Sequence, residues 1–169
     1  LYVDIKMIPL KETKFIDDPL DTIELIASFQ DWTCERSNNE VSIIASGRHN
    51  NYQIAVSLHN NYEGLNIICG FDLKFSSKNK NQILELVSSI NSQIWLGHFD
   101  IWDKDGLVIY RNSSFFDKNN FTYDYIETLL LDSVNSIDRY FPAFQYILWA
   151  GKSSEEALNS VLFETRGEA

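Results

Sequence analysis

Basic residues are scarce in this chain, and their scarcity limits the partners that it can bind. The sequence has 14 Lys and Arg residues against 24 Asp and Glu residues, which gives a formal net charge of -10 at pH 7. Such a charge repels nucleic acid phosphates and anionic lipid surfaces. The densest basic run, residues 74–80, holds only three lysines. We therefore expect neither a nucleic acid nor a membrane surface as a partner.

Long apolar runs are also missing. The most apolar stretch, residues 141–150, is interrupted by Pro142 and Gln145 and is too short to span a membrane. The first 15 residues contain neither an apolar run of signal-peptide length nor a small-residue cleavage site. These absences favour a cytoplasmic protein.

Cysteine is rare as well, and its placement argues against a disulfide framework. The two cysteines, Cys34 and Cys69, lie within predicted strands. A bridge would need the two strands to bring them together, and reduced core residues are the better interpretation.

The familiar signatures of catalysis and cofactor binding are absent from the sequence. It contains no glycine-rich phosphate loop and no G-x-S-x-G nucleophile turn. The three histidines, His49, His59 and His98, lie in three separate parts of the chain. The sequence therefore predicts no cofactor and no catalytic residue.

What the sequence does contain is a regular alternation of strand and helix patterns. Residues 1–17 show no clear period and are interpreted as an N-terminal extension, and residues 18–169 as a single domain. Period-two alternation predicts strands near residues 40–48, 52–60 and 65–75, and a hairpin near 98–111. Helical spacing predicts helices from Asp18, from about residue 79, over the aromatic region before Gly151, and from Ser154 to about Thr165.

The order of these elements predicts the fold class. It reads α-β-β-β-α-β-β-α-α, with an antiparallel sheet of about five strands flanked by helices, which is an α+β fold. A further short strand near residues 33–36 is a possible addition at the start of the sheet.

The stretch WLGHFDIWDKDG, residues 95–106, is the first candidate for a chemical site. Its Asp-Lys-Asp-Gly resembles half of a calcium loop, but Ile101 and Asn112 then occupy the positions that require carboxylates. No second histidine lies at a spacing that would join His98 in a metal site. The alternative is a β-hairpin, because Asp-Gly favours a tight turn.

The length of the hairpin loop decides which residues face each other. A two-residue loop places Asp100 opposite Arg111, a structural pair of opposite charges. A four-residue loop places His98 opposite Arg111 instead. We prefer the two-residue loop.

The segment RYFPAFQYILWAGKS, residues 139–153, carries aromatic side chains on more than one face of a helix. One face can form part of the core, and the remainder needs cover from the last helix, another subunit or a partner. Since aromatic residues anchor interfaces, Tyr140, Phe144, Tyr146 and Trp149 are predicted to form a partner or homodimer surface. Burial within the monomer is the alternative.

Several of these runs resemble one bacterial family. CGFDLKF, INSQIWLGHFDIWDKDGLVIYR, DRYFPAFQYILWAGKSSEEAL and ETRGEA are similar to the YbjN-domain family, and the runs WLGHF, YFPAFQ and WAGKS…A are quite specific. The resemblance covers residues 19–169. It implies a strongly curved antiparallel sheet similar to that of type III secretion chaperones, and a cytoplasmic bacterial protein labelled a sensory transduction regulator. It supplies no catalytic residues.

Three functional hypotheses follow. The first is a non-enzymatic regulator or chaperone-like adaptor that acts through protein–protein contacts, as a homodimer or with a client protein. The second is an enzyme or metal site that uses His98, Asp100 and Arg111 in a cleft. The third is a small-ligand sensor whose pocket is lined by Trp95, Trp102 and Trp149. We prefer the first.

Overall fold

Six strands and four helices make up the part of the chain that the computed structural model describes, which comprises residues 18–59, 64–115 and 122–164. The helices are α1 (Pro19–Phe29), α2 (Lys80–Asn91), α3 (Tyr123–Ala150) and α4 (Ser154–Glu164). The strands are β1 (Thr33–Ser37), β2 (Glu40–Ser46), β3 (Asn51–His59), β4 (Gly64–Lys74), β5 (His98–Trp102) and β6 (Leu107–Phe115). Among these helices, none is both long enough and apolar enough to cross a membrane.

The strands form one antiparallel sheet in the order β1-β2-β3-β4-β6-β5. The predicted α+β class is confirmed. The predicted order contained about five strands, and the structure has a sixth, β1, which precedes the other five. Every side chain of β1 is exposed or half-buried, so this strand lacks the apolar alternation by which the others are recognised.

The core lies between the sheet and the helices. Alternate residues of the strands, such as Ile54 and Val56 of β3 and Ile67 and Cys69 of β4, are fully or almost fully buried. They belong to one hydrophobic cluster with the apolar stripes of all four helices. Because sheet side chains alternate between faces, this packing leaves the opposite face of the sheet without a helical layer from the residues that the structure describes.

Helices α1 and α4 begin where the sequence predicts. The side chain of Asp18 accepts a hydrogen bond from the Leu20 amide (2.8 Å) and caps α1. At the start of α4, Ser153 and Glu156 form the predicted capping box: the Ser153 amide donates to the Glu156 carboxylate (2.9 Å) and the Glu156 amide donates to the Ser153 hydroxyl (3.2 Å). Gly151 ends α3 in the left-handed conformation, with φ of 64°.

The two cysteines are free thiols in different environments. Cys69 is fully buried in β4, and Cys34 is half-buried at the sheet edge. Burial raises the pKa of the Cys69 thiol to about 12.

This difference predicts two rates of thiol modification. With a pKa near 12, only about one Cys69 side chain in ten thousand is a thiolate at pH 8, and the core also excludes the reagent. In native protein, Ellman's reagent should therefore titrate Cys34 promptly and Cys69 only on unfolding. The Cys34→Ser variant should lose the fast phase; release of two thiols at equal rates would contradict the assignment.

A side chain of α2 forms hydrogen bonds with the backbone at the outer edge of strand β5. The Asn91 carboxamide donates to the Phe99 carbonyl (2.9 Å) and accepts from the Phe99 amide (2.8 Å), so it pairs with the strand as another backbone would. The Ile101 amide donates to the carboxylate of Asp100 (2.8 Å). Together these contacts occupy backbone groups that would otherwise template an additional strand.

Replacing Asn91 with alanine should therefore both destabilise the protein and expose the β5 edge. Loss of two hydrogen bonds is expected to reduce the free energy of unfolding by about 2 kcal/mol, measured by urea denaturation. Light scattering should show self-association that increases with concentration. Ser92→Ala, a change to the exposed next residue, should change stability by less than about 0.5 kcal/mol. A monomeric Asn91→Ala variant of unchanged stability would refute this role.

Candidate functional site

The face of the sheet without a helical layer is the candidate functional surface, and we call it the open face. Residues paired across antiparallel strands share one face, so the register assigns its members. They are Ser42, Ile44, Gln53, Ala55, Ser57, Asn66, Ile68, Ile109, Arg111, Ser113, Phe115, His98, Asp100 and Trp102.

Apolar groups interrupt the otherwise polar open face. Phe115 is 84% exposed, and Ile44 and Trp102 are also exposed. Ile109 is completely buried, although it points away from the main core. Single exposed apolar residues are common on proteins, but three on a face without a helical layer indicate a surface that can be covered by a partner.

A shallow depression of about 340 Å³ lies on this face, over β3, β4 and β6. Its lining includes Arg111, His59 and Phe115. Ser57, Asn66 and Ser113 contribute polar groups, and no Asp or Glu is among the described lining residues. The depression is therefore rich in hydrogen-bond donors on a chain that is acidic overall.

The register of the β5–β6 hairpin differs from the preferred prediction. Arg111 lies opposite His98, and Asp100 lies opposite Ile109. The predicted structural pair of Asp100 and Arg111 is therefore wrong, and the alternative with a four-residue loop is the observed one. Strand β6 also pairs with β4, and there Arg111 lies opposite Ile68.

A tertiary contact explains the longer loop. The Asp105 amide donates to the Trp102 carbonyl (3.1 Å), and Gly106 then takes a left-handed conformation with φ of 64°. The Gly106 carbonyl accepts from the Phe75 amide (2.8 Å), which attaches the loop to the end of β4. A Cβ at Gly106 would lie 2.6 Å from the Phe75 carbonyl oxygen. The glycine thus serves this close approach, and local Asp-Gly turn preference does not decide the register.

The residues of the enzyme or metal hypothesis share the open face without forming a cluster. His98 and Asp100 are exposed, Arg111 is half-buried, and within the described ranges no hydrogen bond joins the three. Asp103 of the same loop forms an ion pair with Lys80 (2.7 Å). Over residues 18–59, 64–115 and 122–164, no three His, Cys, Asp or Glu side chains are grouped as a metal site requires.

The predicted aromatic interface on α3 is mostly wrong. Tyr140 is 2% exposed and Phe144 is fully buried, and both contact the ring of Phe99. They are core residues because α3 packs against the sheet and against the other helices, which bury every residue from 140 to 144. Tyr146 is half-buried beside the ammonium of Lys152, while Trp149 is 71% exposed. Of the four predicted residues, only Trp149 presents an exposed aromatic surface.

The predicted tryptophan pocket does not coincide with the depression. Trp95 lies between α2 and β5, Trp102 ends β5, and Trp149 lies in the last turn of α3. None of the three lines the depression.

Sequence reasoning missed the most heavily hydrogen-bonded buried acid. Asp138 of α3 is 6% exposed and accepts hydrogen bonds from the amides of Arg48 (3.0 Å) and His49 (2.9 Å) and from the hydroxyl of Tyr52 (2.7 Å). The sequence did contain a signal of its burial. Asp138 lies three residues before Phe141 and four after Val134, which places it on the apolar stripe of the helix.

Comparisons with known proteins agree with this fold. The YbjN family model, described as "Putative bacterial sensory transduction regulator", matches residues 19–146. The crystal structure described as "YbjN, a putative transcription regulator from E. coli" is similar over 76% of this chain and 97% of that chain, with a TM-score of 0.50 and 9% sequence identity. No curated protein matches the chain. The family match covers most of the domain, and the predicted resemblance is confirmed: the chain belongs to the YbjN family.

Proposed function

We propose that this protein is a non-enzymatic, cytoplasmic regulator that acts by binding another protein through the open face. The observation that carries the proposal is the placement of all four helices against one side of the sheet. The other side exposes Ile44, Trp102 and Phe115. Apolar and aromatic side chains on an accessible sheet face are typical anchors of protein interfaces.

The net charge of the chain indicates which kind of partner surface it attracts. The chain carries a formal charge of -10, so long-range attraction favours a partner with a basic surface. The family description as a regulator agrees with a binding role. That the protein forms a homodimer stays a prediction. That it acts as type III secretion chaperones do also stays a prediction.

The test is affinity capture from a lysate of the source organism, using wild type and three variants. Ile44→Glu and Trp102→Ala alter the open face, and Leu84→Glu alters an exposed apolar residue of α2 as the matched control. We expect one protein to be recovered by wild type and by Leu84→Glu, and to be lost from both open-face variants. The captured protein is then purified and its binding to each variant is measured directly.

The outcomes separate the competing surfaces. Equal binding by all variants would exclude the open face as the contact surface. Loss of binding only in a Trp149→Ala variant would place the interface at the end of α3. Size-exclusion chromatography with light scattering on the same samples tests the predicted homodimer. Absence of any reproducible partner in every sample would refute the protein-binding function.

A further inference from the structure

We propose that the depression on the open face binds an oxyanion, a carboxylate or phosphate carried by a small molecule, with Arg111 as its principal ligand. Neither Ile44 nor Trp102, the two residues that the protein-binding test alters, lines the depression, whereas Phe115 belongs to both surfaces. The proposal therefore goes beyond the protein-binding function and does not depend on it.

The first argument is the state of Arg111. Its Nε atom is buried and has no hydrogen-bond partner in the described structure. A buried donor without a partner costs free energy, and such groups call for an explanation. Arg36 illustrates the contrast, because three carboxylates of the α1 region, those of Asp18, Asp21 and Glu24, surround its guanidinium. Arg111 has no such ion pair among the described residues and retains its capacity to bind an anion.

The second argument is the orientation of Asn66. The Ser113 hydroxyl donates to the Asn66 side-chain oxygen (2.7 Å). This bond occupies the acceptor of the carboxamide and leaves its NH₂ group as a donor. Asn66 and Arg111 both line the depression, and both side chains carry N–H groups. N–H donors that lack a protein acceptor fit a ligand that only accepts, as an ionised carboxylate or phosphate does.

The third argument is the charge of the lining. Among 24 acidic residues in the chain, none appears in the described lining, whereas the guanidinium-bearing Arg111 does. An oxyanion would otherwise be repelled by the acidic protein.

The size and the apolar wall complete the assignment. A volume of about 340 Å³ lies near the lower end of small-molecule sites. Ile68 and Phe115 supply apolar surface beside the polar groups. A small acid with an aromatic or aliphatic part fits this combination better than an inorganic ion alone.

The test is an NMR titration of the isolated, ¹⁵N-labelled full chain with benzoate, phenyl phosphate and inorganic phosphate. Benzamide, which has the shape of benzoate without its charge, is the control ligand. We expect saturable shifts of the Arg111 Nε–H signal and of the backbone amides of Ser57, Asn66 and Ser113 with at least one oxyanion, and none with benzamide. Comparing the affinities for benzoate and phenyl phosphate identifies which acid group the site prefers. The affinity for inorganic phosphate shows whether the apolar part of the ligand is needed.

Two variants and a matched control test the residues. Arg111→Gln should weaken binding at least about tenfold, and Arg139→Gln, which removes an exposed arginine from α3, should leave it unchanged. If Arg111→Gln fails to fold, Asn66→Asp adds a repelling carboxylate at a half-buried position and should abolish binding. No saturable shift with any oxyanion, equal binding of benzamide, or undiminished binding by Asn66→Asp or a folded Arg111→Gln would overturn the proposal. Because no protein partner is present, its failure would leave the proposed function intact.

Discussion

Replacing Asp138 with alanine should reduce the free energy of unfolding by about 3–5 kcal/mol, one of the two largest losses that we expect for a single substitution. The carboxylate is almost completely buried and accepts hydrogen bonds from the amides of Arg48 and His49 and from the hydroxyl of Tyr52. Alanine would leave all three donors without this acceptor, and each buried donor left unsatisfied costs about 1–3 kcal/mol. Urea denaturation monitored by circular dichroism measures the loss.

The surrounding backbone is built around this carboxylate. A Cβ at Gly47 would overlap an Asp138 oxygen and the ring of Tyr52, so the loop between β2 and β3 approaches α3 closely only because residue 47 is glycine. The Gly47 amide also closes the loop by donating to the Asn50 carbonyl (2.8 Å). Asp138 thus attaches the β2–β3 hairpin to the central helix. Burial, and secondarily the Asp138 carboxylate, raise the pKa of Tyr52, which keeps its hydroxyl protonated as a donor.

Asp132 supplies the matched control on the same helix. It is half-buried, and burial raises the pKa of its carboxyl group, so the ionised form is disfavoured by the fold. Asp132→Asn should therefore leave stability unchanged or slightly higher at pH 7. Asp138→Asn should still destabilise, by about 2 kcal/mol, because its NH₂ group would face a donor. Equal effects of the two asparagine substitutions would show that the hydrogen bonds of Asp138 do not matter.

The regular parts of the fold could be predicted because local chemistry decides them. Alternation identified β3 from Tyr52, Ile54, Val56 and Leu58, which the structure places on the helix-covered face. The caps at Asp18 and Ser153 were recognisable because a side chain satisfies amides within three residues of itself. These signals are contained in short windows of sequence.

The features that were missed depend on contacts between distant segments. The hairpin register follows from the bond between Phe75 and Gly106, 31 positions apart, which no local turn preference contains. Tyr140 and Phe144 were assigned to an interface because the sequence does not show how many elements cover α3. The open-face depression joins residues of three strands, and its members, such as Ser57 and Arg111, become neighbours only through the strand order.

The WLGHF run contains the second large effect. Replacing Gly97 with alanine should reduce the free energy of unfolding by about 3 kcal/mol or more. Gly97 has a φ of +67°, which costs a residue with a side chain roughly 1–2 kcal/mol. Its Cβ would also overlap the hydroxyl and the ring of Tyr110. Tyr110 cannot move aside, because it is completely buried and its ring packs edge-on against Phe99 at 5.2 Å.

Two further variants separate the steric part of this loss from the backbone part. Gly70→Ala is the matched control, since a Cβ added at Gly70 would meet no atom within 4 Å and its φ is not positive; it should be neutral or stabilise by about 0.5 kcal/mol. Tyr110→Phe removes one of the overlapping atoms, so adding it to Gly97→Ala should restore part of the lost stability. A double-mutant cycle measures this coupling. Additive effects would mean that overlap with the Tyr110 hydroxyl adds nothing to the loss, whereas positive coupling shows that the approach of the chain to this hydroxyl contributes to the need for glycine in WLGHF.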